Sequence, residues 1–143
     1  MTVIFSKKCE LALQAVLFLS TQEKNQMTNA REISSRLKIP KEFVSKVLQS
    51  LTESGIVDSK KGKGGGFFLA RPSNQITLLD IVVAIDSLEI FHKCVLGFPN
   101  CSPDSPCPVH DKWGKLRDET YSMLSKQTLN ELKELTIKKI ELI

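Results

Sequence analysis

From Ser6 to Thr21 the apolar residues Ala12, Leu13, Val16, Leu17 and Leu19 recur at helical spacing without glycine or proline, which predicts one helix with a buried face. Residues 22–27 are polar and read as a connection. Asn29 with Glu32 three positions on makes a capping pattern, and Ala30, Ile33 and Leu37 share a face, so a short second helix is expected over about Asn29–Leu37. Lys38-Ile39-Pro40 ends it, because the residue before a proline is pushed out of the α region. Pro40 suits the first turn of a third helix that turns Phe43, Val44, Val47, Leu48 and Leu51 inward and closes at Gly55. Ile56–Ser59 and Phe67–Ala70 then read as two strands joined by a tip at Lys60–Gly66. Thr77 with Asp80 opens a helix through about Leu88. A polar helix from Val109 carries Trp113, Leu116, Tyr121 and Leu124 on one side, and Thr128 caps a last one with Leu132, Leu135, Ile137 and Ile140.

This order predicts a mainly α fold with a small β-hairpin. Residues 1–75 form a winged helix-turn-helix DNA-binding region, and 76–143 supply a cysteine loop and helices for dimerisation, within one compact domain. The length of 143 residues agrees with one domain. In a helix-turn-helix the second helix presents its first-turn side chains to the major groove. Lys41, Glu42, Ser45 and Lys46 occupy that position here. The tip lysines Lys60, Lys61 and Lys63 fit a wing that neutralises phosphates or enters the minor groove. A nucleotide loop is a poor reading of Gly62-Lys63-Gly64-Gly65-Gly66, since no helix and no Gly-Lys-Ser/Thr ending follow. A solvated tip without a ligand stays open.

Charge adds to this picture. Residues 1–71 hold twelve Lys/Arg and six Asp/Glu, a net +6, whereas 72–143 hold eight and ten, a net −2; together they give the chain's +4. A basic half suits a polyanionic partner such as double-stranded DNA. An apolar content of 41% with 25% charged residues excludes a largely disordered chain. The apolar runs Leu11–Leu19 and Ile81–Ile85 are too short to span a membrane. Lys7 and Lys8 mimic the start of a secretory signal, but Glu10 and Gln14 interrupt the run behind them, so a cytoplasmic protein is expected. No pairing of base and nucleophile suggests an enzyme.

The stretch from His92 to Pro108 breaks every periodicity and contains three of the four cysteines, as Cys94-x6-Cys101-x5-Cys107, followed by His110 after two intervening residues. In a reducing compartment, clustered cysteines point to metal or redox chemistry ahead of structural disulfides. A zinc site usually has tight Cys-x2-Cys knuckles, which are missing; wider spacing suits an iron–sulfur cluster, with zinc, a thiol switch or no chemistry as alternatives. Cys9 reads as a small buried residue and His92 as a solvated loop residue.

Lys7-Lys8-Cys9-Glu10-Leu11-Ala12-Leu13, the span from Gly55-Ile56-Val57 to Gly64-Gly65-Gly66-Phe67, and Cys94…Cys101…Cys107-Pro108-Val109-His110 together resemble the Rrf-type (BadM-type) regulators. The resemblance covers essentially the whole chain. It implies a homodimeric winged-helix repressor that binds a palindromic operator and senses iron–sulfur status, redox state or nitric oxide through a [2Fe-2S] cluster. It implies Cys94, Cys101 and Cys107 as cluster ligands, although IscR-like members have five residues in the first gap where this chain has six. Two fourth ligands match family patterns: His110, as in IscR-like members, and Glu10 from the partner subunit, as in NsrR-like members. A metal-free thiol-switch or ligand-sensing repressor is the alternative.

Overall fold

The computed structural model describes residues 4–24 and 26–143, which form six helices and one hairpin. Helix α1 (Lys7–Ser20) starts where the Ser6 hydroxyl accepts the Cys9 N–H at 3.1 Å. Helix α2 (Ala30–Leu37) starts at Asn29, whose side-chain oxygen accepts the Glu32 N–H at 2.8 Å. Each cap satisfies a first-turn donor that has no partner within the helix. Lys38, left-handed at φ 58°, turns the chain out of α2. Pro40 then precedes α3 (Lys41–Glu53) and supplies no side-chain cap.

Strands β1 (Val57–Lys60) and β2 (Gly66–Leu69) pair antiparallel with Val57 opposite Leu69 and Lys60 opposite Gly66. A further rung, on the other edge of β2, comes from far away in sequence. Thr28, just ahead of α2, donates its N–H to the Phe67 carbonyl at 3.0 Å and accepts the Phe67 N–H at 2.8 Å. The base of the hairpin is thereby bonded to the start of the helix-turn-helix.

Helix α4 (Leu78–Asp86) opens on a complete capping box between Thr77 and Asp80. Helices α5 (His110–Lys126) and α6 (Leu129–Glu141) complete the chain, α6 capped by the Thr128 hydroxyl. Two backbone bonds, Leu129 N–H to Ile76 C=O at 2.9 Å and Leu78 N–H to Gln127 C=O at 3.2 Å, tie the start of α6 to the start of α4.

Helix α1 lies at the centre, packed on α3, α4 and α6. Its Leu11, Val16 and Phe18 share the main core with Ile33, Val44, Leu48, Leu51, Ile76, Ile81 and Leu129. A second, smaller core joins Cys9, Val82, Phe91 and Leu124, beneath the entrance to the cysteine loop. Beside it, Asp86 at the end of α4 accepts the backbone N–H of Ser6 at 2.8 Å and also its hydroxyl, fastening α4 to the first turn of α1.

Three expectations are corrected. Phe43 is 49% exposed rather than inward; the other four residues of the predicted face are buried. Helix α4 stops at Asp86, because Ser87 takes a positive φ of 63° that a helix cannot contain, and Leu88 is exposed. Lys60 belongs to strand β1 and not to the tip. The apolar strip expected on α5 has Leu124 buried and Leu116 and Tyr121 exposed within one subunit; on α6, Leu135 and Ile137 are exposed while Ile140 packs against the core.

Candidate nucleic-acid interface and metal centre

The α3 core row Val44–Val47–Leu48–Leu51 fixes which side of that helix faces out. At about 100° per residue, Glu42, Lys46 and Gln49 point most directly away from the core, with Lys41 and Ser45 to one side. All five are exposed. Gln49 was not among the sequence candidates; its spacing of three and four residues from Lys46 and Ser45 is the signal that identifies it. In the hairpin, Lys60, Lys61 and Lys63 are likewise exposed, and a Gly65 N–H to Gly62 C=O bond of 3.0 Å closes the tip. Glycine is required at two points here. A Cβ on Gly65 would lie 2.0 Å from the Lys60 carbonyl oxygen, and one on Gly66 (φ 156°) would lie 2.8 Å from the Thr28 backbone.

The second site lies in the segment between α4 and α5. Cys94, Cys101 and Cys107 bring their sulfurs within 4.8 Å of one another, and those of Cys94 and Cys107 are 3.4 Å apart. Among the described residues this is the group of three or more His, Cys, Asp or Glu able to hold one metal. His110 Nδ1 approaches Cys101 Sγ to 3.2 Å but is not within that distance of all three sulfurs. Glu10, half-buried on α1, does not join the group within one subunit. Left-handed turns at Gly97 (φ 85°) and Asn100 (φ 57°) fold the first gap back, and a Ser102–Ser105 bridge folds the second.

One anchor of this loop escaped the sequence reading. The Trp113 indole N–H donates to the Lys93 carbonyl at 3.2 Å, holding the chain next to Cys94 against α5. The signal is the indole itself: a half-buried tryptophan one turn after His110 has an N–H that calls for a partner.

Two donor sulfurs on one tetrahedral metal at about 2.3 Å lie about 3.8 Å apart, so three converging thiols at these separations fit thiolate ligation of a metal centre. Burial pushes the Cys94 thiol up, but the N–H groups of Phe98 and Leu96 and the thiols of Cys107 and Cys101 outweigh it and hold Cys94 at about 7. Cys107 goes the other way, raised by burial and by its neighbours Cys94 and Cys101. Cys9 is pushed up to about 12 by burial, by Asp86 and by Glu10. In the apoprotein at pH 7, iodoacetamide should therefore modify Cys94 about fivefold or more faster than Cys107, with a rate that rises through pH 7, since the thiolate is the nucleophile. Cys9 should stay unmodified until the chain unfolds. Peptide mass spectrometry over time checks this, and equal rates at Cys94 and Cys107 would contradict the asymmetry.

No described helix is long and apolar enough to cross a membrane. The family Rrf2, described as iron-dependent transcriptional regulator, matches residues 5–134. The chain is 33% identical over 132 residues to a protein of Aquifex aeolicus (strain VF5) named for an HTH-type transcriptional regulator, covering 91% of each. It is 26% identical over 127 residues to the HTH-type transcriptional regulator IscR of Photorhabdus laumondii, covering 89% of this chain and 77% of that one. Among solved structures, CymR (YrzC), the global cysteine regulator of B. subtilis, superposes with a TM-score of 0.78 at 20% identity, over 94% of this chain and 98% of that one. IscR of T. potens gives 0.69 at 22% identity, over 90% and 85%. At these identities the superpositions establish the winged-helix fold.

Proposed function

This chain belongs to the Rrf2 family of transcriptional regulators, and from that premise we propose that it is a repressor, not an enzyme, whose DNA binding answers to a [2Fe-2S] cluster in the loop between α4 and α5. The observation that carries the proposal is the convergence of Cys94, Cys101 and Cys107 within 4.8 Å on a chain that also bears an exposed α3 and a lysine-tipped hairpin. When bound, the cluster supplies a centre that redox change, iron supply or nitric oxide can alter. The three thiolates hold it, and the fourth position falls to His110 or to Glu10 of a second subunit. The cytoplasm, with its low potential, keeps such thiols reduced.

Residues 1–75 read DNA and 76–143 sense and dimerise. Lys41, Glu42, Ser45 and Lys46 reach base edges in the major groove, where Glu42 can accept from a cytosine amino group. Lys60, Lys61 and Lys63 meet phosphates or the minor groove. Leu116 and Met123 leave α5 with an apolar side that a second copy covers, and the twofold pairs two α3 helices for a palindromic operator. Through Asp86 and the small core around Cys9, the loop reaches α1, and through α1 it reaches α3.

Fluorescence anisotropy on a duplex enriched by the protein from random DNA tests the DNA half. Affinity should fall steeply with salt, and replacing both Lys61 and Lys63 with alanine should lower the log–log salt slope by about 2, about 0.9 for each phosphate no longer neutralised. Lys61→Ala alone should cost about 1 kcal/mol or more if it enters the minor groove. An unchanged slope removes the hairpin from the interface.

A second reading has its own support. The 3.4 Å between Cys94 and Cys107 would also allow a disulfide after a small adjustment, making a metal-free thiol switch. The visible spectrum of anaerobically prepared protein separates the two.

A further inference from the structure

Phe43 is half-exposed in the first turn of α3, flanked by Glu42 and one turn from Lys46, with no apolar neighbour on its outer side among the first-turn residues. The other large exposed apolar side chains lie elsewhere, from Val83 to Met123 and from Leu135 to Ile143. Those segments offer surfaces for a second subunit. Along the chain Phe43 is separate from them, in a first turn whose other exposed residues, Lys41 and Glu42, are charged.

With 49% of its surface exposed, the Phe43 ring keeps apolar area in water that a contact at this end of α3 would bury. On the helix it lies about 90° from the core midline, so it borders the face formed by Glu42 and Lys46. Helical side chains lean toward the N-terminus, which carries the ring toward the end of α3 that enters a groove. Of the chemical groups displayed in a major groove, the 5-methyl of thymine is the apolar one, and phenylalanine has no polar atom with which to address anything else.

We propose that Phe43 is a specificity-determining residue that packs against the 5-methyl group of a thymine in each half-site. It sorts thymine from cytosine and from uracil at that step, while Glu42 and Lys46 address neighbouring bases or phosphates. This rests on the DNA-binding reading above. It adds an apolar contact to a face that otherwise carries only charged and polar groups, and it assigns a use to the residue that the core leaves outside.

The test uses the full chain and a duplex enriched from random DNA by the wild-type protein, remade with deoxyuridine in place of thymine one position at a time. Removing one buried methyl should weaken wild-type binding about fourfold at one symmetric pair of positions, and little at others. Phe43→Ala should bind the thymine duplex more weakly and should lose the thymine–uracil difference at that position. Lys46→Ala should also bind more weakly yet keep the difference, which separates loss of the methyl packing from general loss of affinity. The proposal is overturned if wild type binds both duplexes equally at every position, or if Phe43→Ala retains the full difference. A change of oligomeric state in Phe43→Ala with no change in the thymine–uracil ratio would also overturn it, by making Phe43 a subunit contact. Failure to enrich any duplex would instead overturn the DNA-binding reading itself, and this inference with it.

Discussion

Anaerobically purified protein should lose its visible absorbance and its iron entirely when any one of Cys94, Cys101 or Cys107 is replaced by alanine. The three sulfurs already converge within 4.8 Å, so each replacement removes a ligand that the remaining loop has no means to supply. Cys9 is no substitute, being fully buried in the small core with its thiol held protonated. Secondary structure should survive, because the loop contributes no residue to the main core. The fourth ligand separates two outcomes. If His110 ligates, His110→Ala alters the spectrum and the reduction potential, since imidazole and carboxylate set potential differently, and Glu10→Ala leaves both unchanged. If Glu10 reaches across from a second subunit, the pattern reverses and cluster loss acts directly on α1. The 3.2 Å between His110 and Cys101 favours the first. A colourless, iron-free wild type would end the cluster proposal and leave the thiol switch.

Gly66→Ala should be the most damaging single methyl in the hairpin. The added Cβ would meet the Thr28 carbonyl carbon and oxygen at 2.8 Å, and these are backbone atoms held in the bridge to Phe67. Overpacking against fixed atoms together with an unfavourable φ should cost about 3 kcal/mol, or a fall in Tm of about 10 °C. Gly65→Ala collides still more severely, at 2.0 Å, with the Lys60 carbonyl oxygen at the very end of β1, where the adjoining tip can open locally. It should therefore weaken DNA binding more than it lowers Tm. Gly64→Ala is the control: its Cβ would meet nothing within 4 Å, so only the left-handed φ of 79° is penalised, at about 1 kcal/mol. Circular dichroism melts of the three variants rank these costs, and equal melts for Gly66→Ala and Gly64→Ala would mean that the Thr28 contact is slack.

The elements that could be read in the sequence are those with local physical signatures. Asn29, Thr77 and Thr128 each cap a helix as their spacing to Glu32, Asp80 and Glu131 implies. The cysteine triplet converges as its clustering suggested. Phe43 misled for a geometric reason: it starts the row 43–47–51, but rows of every fourth residue drift about 40° per step around a helix, so Val47 and Leu51 reach the core and Phe43 falls beside it. Leu88 misled because the positive-φ residue Ser87 leaves no mark in the apolar pattern. Long-range pairs were out of reach altogether. Neither the Thr28–Phe67 rung nor the Asp86–Ser6 contact has a period or motif, since each joins residues 39 and 80 apart.

That Thr28–Phe67 rung has a mechanical meaning. With the hairpin bonded at its base to the chain that opens the helix-turn-helix, the span from the tip of α3 to Lys61 and Lys63 is set like the opening of a locked caliper. A duplex gripped at both points must then supply whatever adjustment the fit requires. Flexible pyrimidine–purine steps between two such grips would yield readily and stiff A-tracts would not, so sequence that the protein never touches would enter its preference as bending energy.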